Sequence, residues 1–457
     1  MKSNSRMSND AFPRRGGRRR ILLLLTLGLM AGLQLLAAAS KAAAISAGNA
    51  PPLPLTGARI VKVATEPELQ TAMSNLLSGD TILLADGTYH LTRSLYVNGR
   101  HNVSIRGHAG SVNVVLAGRG MDNPNGGEAR FGVWSNSTNT TIAHLTIRDT
   151  YDNPIIFNPG AQSPRLYCLK LLDAGSQFIK VNPIDVAKGI GVNNGLVEYC
   201  WLEYTAGPPA DHGAGIGYFN GISAHAARNW IIRGNLFKNL HNPDSAAYHW
   251  NAAVLMWRHS ANTLTEQNTF VNVDRAIAYG LENLAYSDHD GGVIRNNFVY
   301  LTPGLMSASR TASSDGAIIA WNSPSTAIDH NTLLLNGNVL NAIEFRFATS
   351  SGAARNNLAD APIHLRDSAT ATQGGNLLTA TPGLFVKASA ADLHLLASAT
   401  AAIDQARVLA AVTNDIDGDL RPHGAGPDIG ADEFVGGPAD PARSLEKANP
   451  PEKVKNR

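Results

Sequence analysis

From about residue 60 onward, short runs of apolar residues alternate with polar ones and are interrupted by Asn and Gly. Alternation with a period of two residues predicts β-strands. No long stretch has the spacing of an amphipathic helix, apart from residues 67–77, where we expect a short capping helix. The pattern therefore predicts an all-β protein.

One run recurs along this body and ends in Asn each time. The Asn positions are separated by 33, 29, 34 and 26 residues, and they are Asn235, Asn268, Asn297, Asn331 and Asn357. Cys200 occupies the same place one unit earlier. Asn tolerates the left-handed backbone of a corner, and its amide can bond to the next copy. We therefore expect a structural asparagine ladder at one corner of a stacked repeat.

A second strand signal lies between these runs. It is a quartet whose first and third positions are almost all apolar, at residues 155–158, 179–182, 222–225, 254–257, 277–280, 318–321, 343–346 and 363–366. Two strand signals per unit, joined by loops of uneven length, predict a solenoid with insertions at its turns.

The two ends of this body resemble those of right-handed parallel β-helix proteins of the pectate-lyase-like superfold. The opening runs from Ala64 to Met73 and from Gly79 to Tyr89, and the closing run begins Asp415-Ile-Asp-Gly-Asp419 and reaches Glu433. The resemblance covers about residues 60–435 and implies the fold. Because enzymes of this superfold mostly cleave or epimerise uronic-acid polymers by removing the C5 proton, it also implies a polysaccharide substrate.

The second and fourth positions of each quartet should point outward and stack into two columns. One column is Ile156, Lys180, Ser223, Leu255, Ala278, Ile319, Glu344 and His364. The other is Asn158, Asn182, His225, Trp257, Gly280, Trp321, Arg346 and Arg366. The second column is polar, aromatic and basic, which favours a ligand-binding face.

Lys180 and His225 lie on adjacent coils and in adjacent columns. Removal of a C5 proton needs a base, an acid at the leaving oxygen and a positive group at the carboxylate. We predict Lys180 as the base or carboxylate neutraliser and His225 as its acid–base partner. The alternative is a solvated surface lysine beside a packed turn histidine.

The remaining candidates are substrate-binding residues. Aromatic faces suit sugar rings and Arg suits carboxylates, so we expect substrate contacts from Asn182, Trp257, Arg258, Tyr279, Trp321 and Arg346. The alternative for the two tryptophans is that loops cover them, since side chains this large are usually buried.

Two loops, at residues 209–213 and 287–291, place Asp beside His near glycines. His289 could be catalytic, and Asp288 and Asp290 could bind Ca²⁺. The second loop is similar to the Asp-Pro-His-Asp signature of alginate C5-epimerases, which only His289 and Asp290 match. A hydrogen-bonded turn is the alternative. At Asp415–Asp419 a terminal turn is favoured over a calcium loop, because Gly426 occupies the twelfth position.

The basic excess lies at the N-terminus. Residues 1–44 carry eight Lys or Arg against one acid, so the rest of this chain of net charge +2 has a charge of −5. A mildly acidic body argues against a nucleic-acid partner. A basic cluster at residues 14–20, an apolar run and Ala42–Ala44 indicate a secretory signal peptide, or alternatively an uncleaved anchor. Cys168 and Cys200 allow at most one disulfide.

We therefore predict a signal peptide at residues 1–44, a linker at 45–59, a β-helix at 60–435 and a disordered tail at 436–457. The predicted protein is a secreted or periplasmic polysaccharide lyase. The alternatives are an alginate-type C5-epimerase and a non-catalytic polysaccharide-binding or adhesin β-helix. Hydrolysis by two carboxylates is disfavoured, since Glu344 is the one acid in the columns. We expect a monomer with an acidic polysaccharide as partner, Ca²⁺ as a conceivable cofactor, and no membrane partner after signal cleavage.

Overall fold

The computed structural model describes residues 50–111, 113–209 and 217–436. The predicted signal peptide, almost all of the predicted tail, and Asp211 and His212 of the first Asp-His loop lie outside these residues. No helix in the described ranges is long and apolar enough to cross a membrane.

The described chain is almost entirely β-structure. The first strands are β1 (Arg59–Val63), β2 (Asp80–Leu84), β3 (Gly87–His90), β4 (Arg93–Val97), β5 (Ser104–Gly107), β6 (Val114–Ala117), β7 (Glu128–Ser135), β8 (Thr141–Thr150), β9 (Ile155–Phe157), β10 (Arg165–Ala174) and β11 (Ile179–Val181). The middle strands are β12 (Leu196–Glu198), β13 (Trp201–Glu203), β14 (Ile222–His225), β15 (Ile231–Arg233), β16 (Leu236–Lys238), β17 (Ala252–Trp257), β18 (Ser260–Ala261), β19 (Leu264–Glu266), β20 (Thr269–Val271), β21 (Arg275–Tyr279), β22 (His289–Asp290), β23 (Val293–Arg295) and β24 (Phe298–Tyr300). The last are β25 (Gly316–Trp321), β26 (Thr326–Asp329), β27 (Thr332–Leu334), β28 (Asn341–Arg346), β29 (Gly352–Arg355), β30 (Leu358–Ala359), β31 (Ile363–Arg366), β32 (Thr372–Gly374), β33 (Phe385–Lys387) and β34 (Asp392–Leu395).

These strands stack into a right-handed parallel β-helix, which confirms the predicted fold. Sheet 1 has 20 strands and sheet 2 has 10 strands, in the order β31-β28-β25-β21-β17-β14-β11-β9-β7-β4. Sheet 1 contains two ladders that meet in the long strands β8 and β10, because each of these strands pairs along both ladders. The molecule therefore has three faces, and sheet 2 is the face that carries the predicted columns.

The predicted asparagine ladder is present at the corner between the two ladders of sheet 1. The Nδ2 of Asn235 donates to Oδ1 of Asn268 at 2.9 Å, and the same contact repeats at 2.9–3.0 Å through Asn297, Asn331 and Asn357. It continues to Asn376, which the sequence analysis did not include. At the other end, the N–H of Cys200 donates to Asn235. These Asn are structural, as predicted.

The quartets pair in sheet 2 in the predicted register. Ile179 faces Ile155 and Ile222 on its neighbouring strands, and Lys180 faces Ile156 and Ser223. The same register continues to β31, where Glu344 faces His364. First and third residues such as Ile179 and Val181 are fully buried. The second residues therefore lie on the outer face, where the side chain of Lys180 is half-buried.

The N-terminal end of the β-helix is closed by helix α1 (Glu66–Ser74), which confirms a capping helix but ends three residues earlier than expected. The side chain of Thr65 accepts the N–H of Glu68, and the N–H of Thr65 donates to the carboxylate of Glu68. These two hydrogen bonds form a capping box. The described part of the predicted linker lies against the coils. The guanidinium of Arg106 donates to the carbonyl oxygens of Leu53 and Pro54 at 3.0 and 2.9 Å.

The C-terminal segment folds back on sheet 1 instead of adding coils. The antiparallel pair β33–β34 and two 3₁₀ turns, Pro382–Leu384 and Ala388–Ala390, pack with Phe298 and Leu358 in a second apolar cluster. Asp415 accepts the N–H groups of Asp417, Asp419 and Glu433. The run that begins at Asp415 is therefore a hydrogen-bonded terminal turn, the reading that the sequence favoured. A short helix α2 (Ala308–Ala312) lies in the loop before β25.

Candidate active site

Four long loops whose residues are all described flank the outer face of sheet 2. Residues 183–195 and 280–288 follow β11 and β21, whereas residues 239–251 and 301–315 precede β17 and β25. Arg310 anchors the loops on the second side, because its buried guanidinium donates to Asp274 at 2.5 Å and to the carbonyl of His249 at 2.8 Å. These loops therefore border the outer face of β11, β14 and β17 on both sides.

Lys180 and His225 meet on this face, although they come from different coils. The Nζ of Lys180 lies 3.4 Å from Nε2 of His225 and 3.3 Å from Oγ of Ser223. Parallel pairing of β11 with β14 produces the contact, because it places Lys180 opposite Ser223 and His225 two residues further along. We call Lys180, His225, Ser223 and Tyr218 the Lys180 cluster.

Tyr218 completes this cluster and was not predicted. It lies in the loop before β14, and its hydroxyl shares a side-chain hydrogen bond with Ser223. Its ring packs edge-on against Tyr248, with the ring centroids 5.8 Å apart. Tyr218 lies outside the quartets, so the period-two pattern gave no signal for it. The hydroxyl of Ser223 therefore touches both the ammonium of Lys180 and the phenol of Tyr218.

Burial sets the protonation states of these groups. It lowers the pKa of Lys180 to about 8, because the ammonium loses solvation. Burial, together with the charges of Lys180 and Arg258, lowers the pKa of His225 to about 3. Burial raises the pKa of Tyr218. Near neutral pH the cluster thus holds a neutral imidazole, a protonated phenol and a lysine that loses its proton close to physiological pH.

Arg258 and Trp257 lie next to the cluster. The guanidinium of Arg258 sits 4.9 Å from the ring centroid of Trp257 and donates to Oε1 of Glu282 at 2.8 Å. The rings of Trp257 and His225 form a T-shaped contact, with ring centroids 4.8 Å apart and an interplanar angle of 84°. Arg258 and Glu282 are each about one third exposed, with side-chain exposures of 35%. A partly exposed cation is therefore available two coils from Lys180 and one coil from His225.

The two tryptophans are not open platforms for sugar rings, so that expectation is wrong. Trp257 is 8% exposed and Trp321 is 6% exposed. Arg346 and Arg366 cover Trp321, and its Nε1 donates to the buried carboxylate of Glu344 at 2.9 Å. Cationic and acidic side chains cover these rings, in line with the alternative that they are buried.

Tyr279 and His289 are not available to a substrate, and both predictions are corrected. Each is fully buried, and their rings stack with centroids 4.2 Å apart. The hydroxyl of Tyr279 bonds with Thr265 inside the solenoid, and Nε2 of His289 bonds with Thr263. Tyr279 is the third residue of its quartet, so strand alternation turns it inward.

Asp288 and Asp290 do not form the predicted calcium site. The carboxylate of Asp288 is buried and accepts three backbone N–H groups, from Arg258 at 2.5 Å, Leu281 at 2.6 Å and Glu282 at 2.8 Å. Oxygens that accept N–H donors are poorly placed to bind a cation. Asp290 is exposed on the short strand β22. Asp288 instead fastens the loop after β21 to the turn after β17.

The other two predicted binding residues have intramolecular partners. The Nε of Arg346 donates to Asp367 at 2.7 Å, and its guanidinium lies over Trp321. The Nδ2 of Asn182 donates to Oδ1 of Asn158 at 2.9 Å. Both side chains are half-buried on the outer face, so they are brought to the predicted surface. Asn182 lies beside the Lys180 cluster, whereas Arg346 lies three coils beyond Trp257.

One group of described residues has the geometry of a metal site, and it lies elsewhere. Ligand atoms of His394, Asp417 and Asp432 lie within 4.8 Å of one another in the C-terminal segment. In contrast, the described side chains around Lys180 are mainly nitrogen and hydroxyl donors. They do not supply the six to eight oxygens that Ca²⁺ prefers, so the cluster does not fit a calcium centre. Cys168 and Cys200 are both free thiols.

Comparison with solved structures finds similarity to polysaccharide lyases and to a surface adhesin. An alginate lyase from Paenibacillus sp. str. FPU-7 is 18% identical over 70% of this chain and 99% of that chain, with a TM-score of 0.45. A pectate lyase is 13% identical over 83% of this chain and 97% of that chain, with a TM-score of 0.47. A surface adhesin of Streptococcus pneumoniae is 11% identical over 68% of this chain and 94% of that chain, with a TM-score of 0.40.

No protein-family model matches the chain, and no curated protein sequence matches it. The strand register of the chain itself shows that the fold is a parallel β-helix.

Proposed function

We propose that this protein is a secreted or periplasmic polysaccharide lyase that cleaves a uronic-acid polymer by β-elimination at the Lys180 cluster. The observation that carries the proposal is the Lys180 ammonium itself. It is half-buried on the outer face of sheet 2, its pKa is lowered to about 8, and it is linked through Ser223 to a protonated phenol. A base and an acid held side by side are what β-elimination requires.

Lys180 is the base in this proposal. In its neutral form, the lone pair of Nζ takes the proton from C5 of the uronate. The C5–H electrons form the C4=C5 double bond while the C4–O4 bond breaks. An amine whose pKa lies near the working pH combines a useful neutral fraction with sufficient basicity.

Tyr218 is the acid that protonates the leaving O4. Burial keeps its hydroxyl protonated until the transition state, when negative charge develops on O4. After the bond breaks, Lys180 holds one extra proton and Tyr218 lacks one. The hydroxyl of Ser223 contacts both side chains, so it offers a path that returns the proton and restores the starting state.

His225 acts in this proposal as a positioning residue, and the role suggested by the sequence is revised. With a pKa of about 3 the imidazole is neutral and a weak base, so it is poorly suited to donate or accept the proton. Its Nε2 instead faces Nζ of Lys180 and can accept a hydrogen bond that orients the amine. The imidazole ring is itself held by its T-shaped contact with Trp257.

Arg258 is the group that we propose neutralises the substrate carboxylate. Removing the C5 proton places charge on that carboxylate, and a guanidinium matches it with two parallel hydrogen bonds. Arg258 is partly exposed and adjacent to the cluster, and its pairing with Glu282 and Trp257 holds it in place. Secretion is supported by the basic and apolar order of residues 1–44.

The test is ultraviolet absorbance of the unsaturated uronate end on a panel of alginate, pectate and glycosaminoglycan. We expect a rise on one polymer class. Absence of a rise on all of them, with deuterium from solvent appearing at C5, would replace the lyase by an epimerase. Binding with neither reaction would replace it by a polysaccharide-binding protein.

A further inference from the structure

Two large aromatic side chains project outward from the first coils of sheet 2. Tyr96 on β4 faces Trp134 on β7 in register, and their ring centroids lie 5.8 Å apart at an interplanar angle of 51°. Tyr96 is 46% exposed and Trp134 is half-buried, whereas the flanking Leu95 and Val133 are fully buried in the core. The pair therefore forms an exposed aromatic surface on the same face as the Lys180 cluster.

Strand register places this surface in the same column as Lys180. Trp134 faces Ile156, and Ile156 faces Lys180. With strands spaced about 4.8 Å apart, Trp134 lies roughly 10 Å and Tyr96 roughly 14 Å from Lys180 along the solenoid axis. The aromatic pair thus continues the line of the proposed active site toward the N-terminal end.

A row of asparagines runs beside the aromatic pair. The Nδ2 of Asn136 donates to Asn98 at 2.8 Å, and that of Asn182 donates to Asn158 at 2.9 Å. The row is interrupted between these two pairs, because Nδ2 of Asn158 is buried and makes no hydrogen bond in the described structure. The internal ladder through Asn297 has no such break. Asn98 is exposed and Asn136 and Asn182 are half-buried, so these are the amides of the row that a ligand on this face would meet.

We propose that Tyr96, Trp134 and the row from Asn98 to Asn182 form a sugar-binding strip for the polymer on the N-terminal side of Lys180. The inference rests on the proposed function and extends it. Aromatic faces pack against the C–H faces of sugar rings, and side-chain amides bond to hydroxyl and carboxylate oxygens. A linear polymer parallel to the solenoid axis meets both at successive coils. The strip would therefore select substrates long enough to reach from Lys180 to Trp134.

The test measures binding of oligouronates of two and of six residues, prepared from alginate and from pectate, by calorimetry. Binding is measured in the Lys180→Ala background so that the ligands are not cleaved. We expect Trp134→Ala to weaken binding of the hexamer about tenfold while binding of the dimer changes little. Trp134→Phe keeps an aromatic face and should retain most of the affinity.

The matched control is Trp201→Ala. Trp201 lies on sheet 1 beneath Lys170, with Nζ of Lys170 4.4 Å from its ring centroid, and this variant should bind the hexamer as the parent does. Full hexamer affinity in a folded Trp134→Ala, Tyr96→Ala double variant would overturn the strip even if the wild type cleaves polymer. Conversely, the double variant could lose hexamer binding while the wild type cleaves no polymer. That result would support the sugar-binding strip and contradict the proposed lyase activity. Failure of every variant and the wild type to bind either oligouronate would overturn the strip, and the lyase is overturned separately if the wild type also cleaves none of the three polymers.

Discussion

Lys180 and His225 are 45 residues apart along the chain, yet Nζ of one lies 3.4 Å from Nε2 of the other. Parallel stacking of β11 on β14 creates this proximity, and burial on the outer face then lowers the pKa of both groups. Their responses differ in consequence. A lysine with a pKa of about 8 becomes a usable base, whereas a histidine with a pKa of about 3 stays neutral.

The first prediction concerns the pH dependence of cleavage. The neutral amine of Lys180 is the reactive form, so kcat/KM should rise with pH and level off above an apparent pKa of about 8, the pKa of the amine in the free protein. Titration of His225 should not change the rate near the ordinary pKa of histidine, because burial and neighbouring charges lower the pKa of this histidine to about 3. Initial rates between about pH 6 and pH 9 check this. A rate that stays constant across that range would contradict the role of Lys180 as base.

The second prediction concerns Tyr218. Replacing it with Phe removes the proton donor but keeps the ring, so kcat should fall by about 100-fold or more with little change in KM. The control is Tyr248→Phe, since Tyr248 packs edge-on against Tyr218 and is 52% exposed. It should retain near-wild-type kcat. Equal rates for Tyr218→Phe and the wild type would assign the acid to another group.

The third prediction concerns the internal asparagine ladder. Asn297 is fully buried, and its Nδ2 donates to the carbonyl of Thr265 and to Asn331. Asn297→Ala leaves several buried polar groups without partners, so the free energy of unfolding should fall by about 3 kcal/mol. Asn125→Ala, at an exposed loop position, should change it by less than about 0.5 kcal/mol. Denaturant unfolding of both variants measures the difference, and similar values would refute the structural role.

The fourth prediction concerns acid stability. Burial lowers the pKa of His289 from 6.5 to about 3, so between these values the unfolded chain binds more protons than the folded chain. The contribution of a neutral His289 is therefore present above pH 6.5 and is lost as the pH falls toward 3. By pH 5 the loss amounts to about 2 kcal/mol.

The measurement compares the wild type with His289→Gln at about pH 7.5 and pH 5. The difference in unfolding free energy between the two proteins should shift by about 2 kcal/mol toward the variant at the lower pH. The contributions of other titrating groups cancel in this difference. Asp428 is one such group, because burial raises its pKa to about 6 and its contribution to stability changes with pH in the opposite direction. A difference that does not depend on pH would contradict the buried neutral state of His289.

Much of this fold could be predicted from the sequence, because each coil repeats a local constraint. An apolar residue at every second position requires one inward face, and a buried corner whose side chain must bond to the next coil favours Asn. These rules placed Asn235 in the ladder and Lys180 beside His225. The left-handed backbone expected at the ladder Asn lies one residue earlier, at Gly234, Gln267, Asn296, His330 and Asn356. The same alternation shows why the prediction of a substrate contact from Tyr279 was wrong. Tyr279 is the third residue of its quartet, so its side chain points into the solenoid.

The parts that the sequence did not predict depend on loops or on weaker repeats. Tyr218 reaches Ser223 from a loop whose conformation is set by tertiary contacts. The alternation of apolar and polar residues does not predict the conformation of such a loop. The coils of Tyr96 and Trp134 were overlooked, although Leu95-Tyr-Val-Asn98 and Val133-Trp-Ser-Asn136 match the quartet pattern with a terminal Asn. The cover over Trp257 could not be predicted either, because the cation over its ring comes from the following turn and is fixed there by Glu282.

The central claim is that the neutral amine of Lys180 removes the C5 proton. Its most direct test is the ultraviolet absorbance of a uronate polymer incubated in parallel with the wild type and with Lys180→Arg. Arginine keeps the positive charge but does not lose its proton in proteins, so it cannot act as the base. We expect absorbance to rise with the wild type and to stay at background with Lys180→Arg. Cleavage by Lys180→Arg at a rate near that of the wild type would contradict the account.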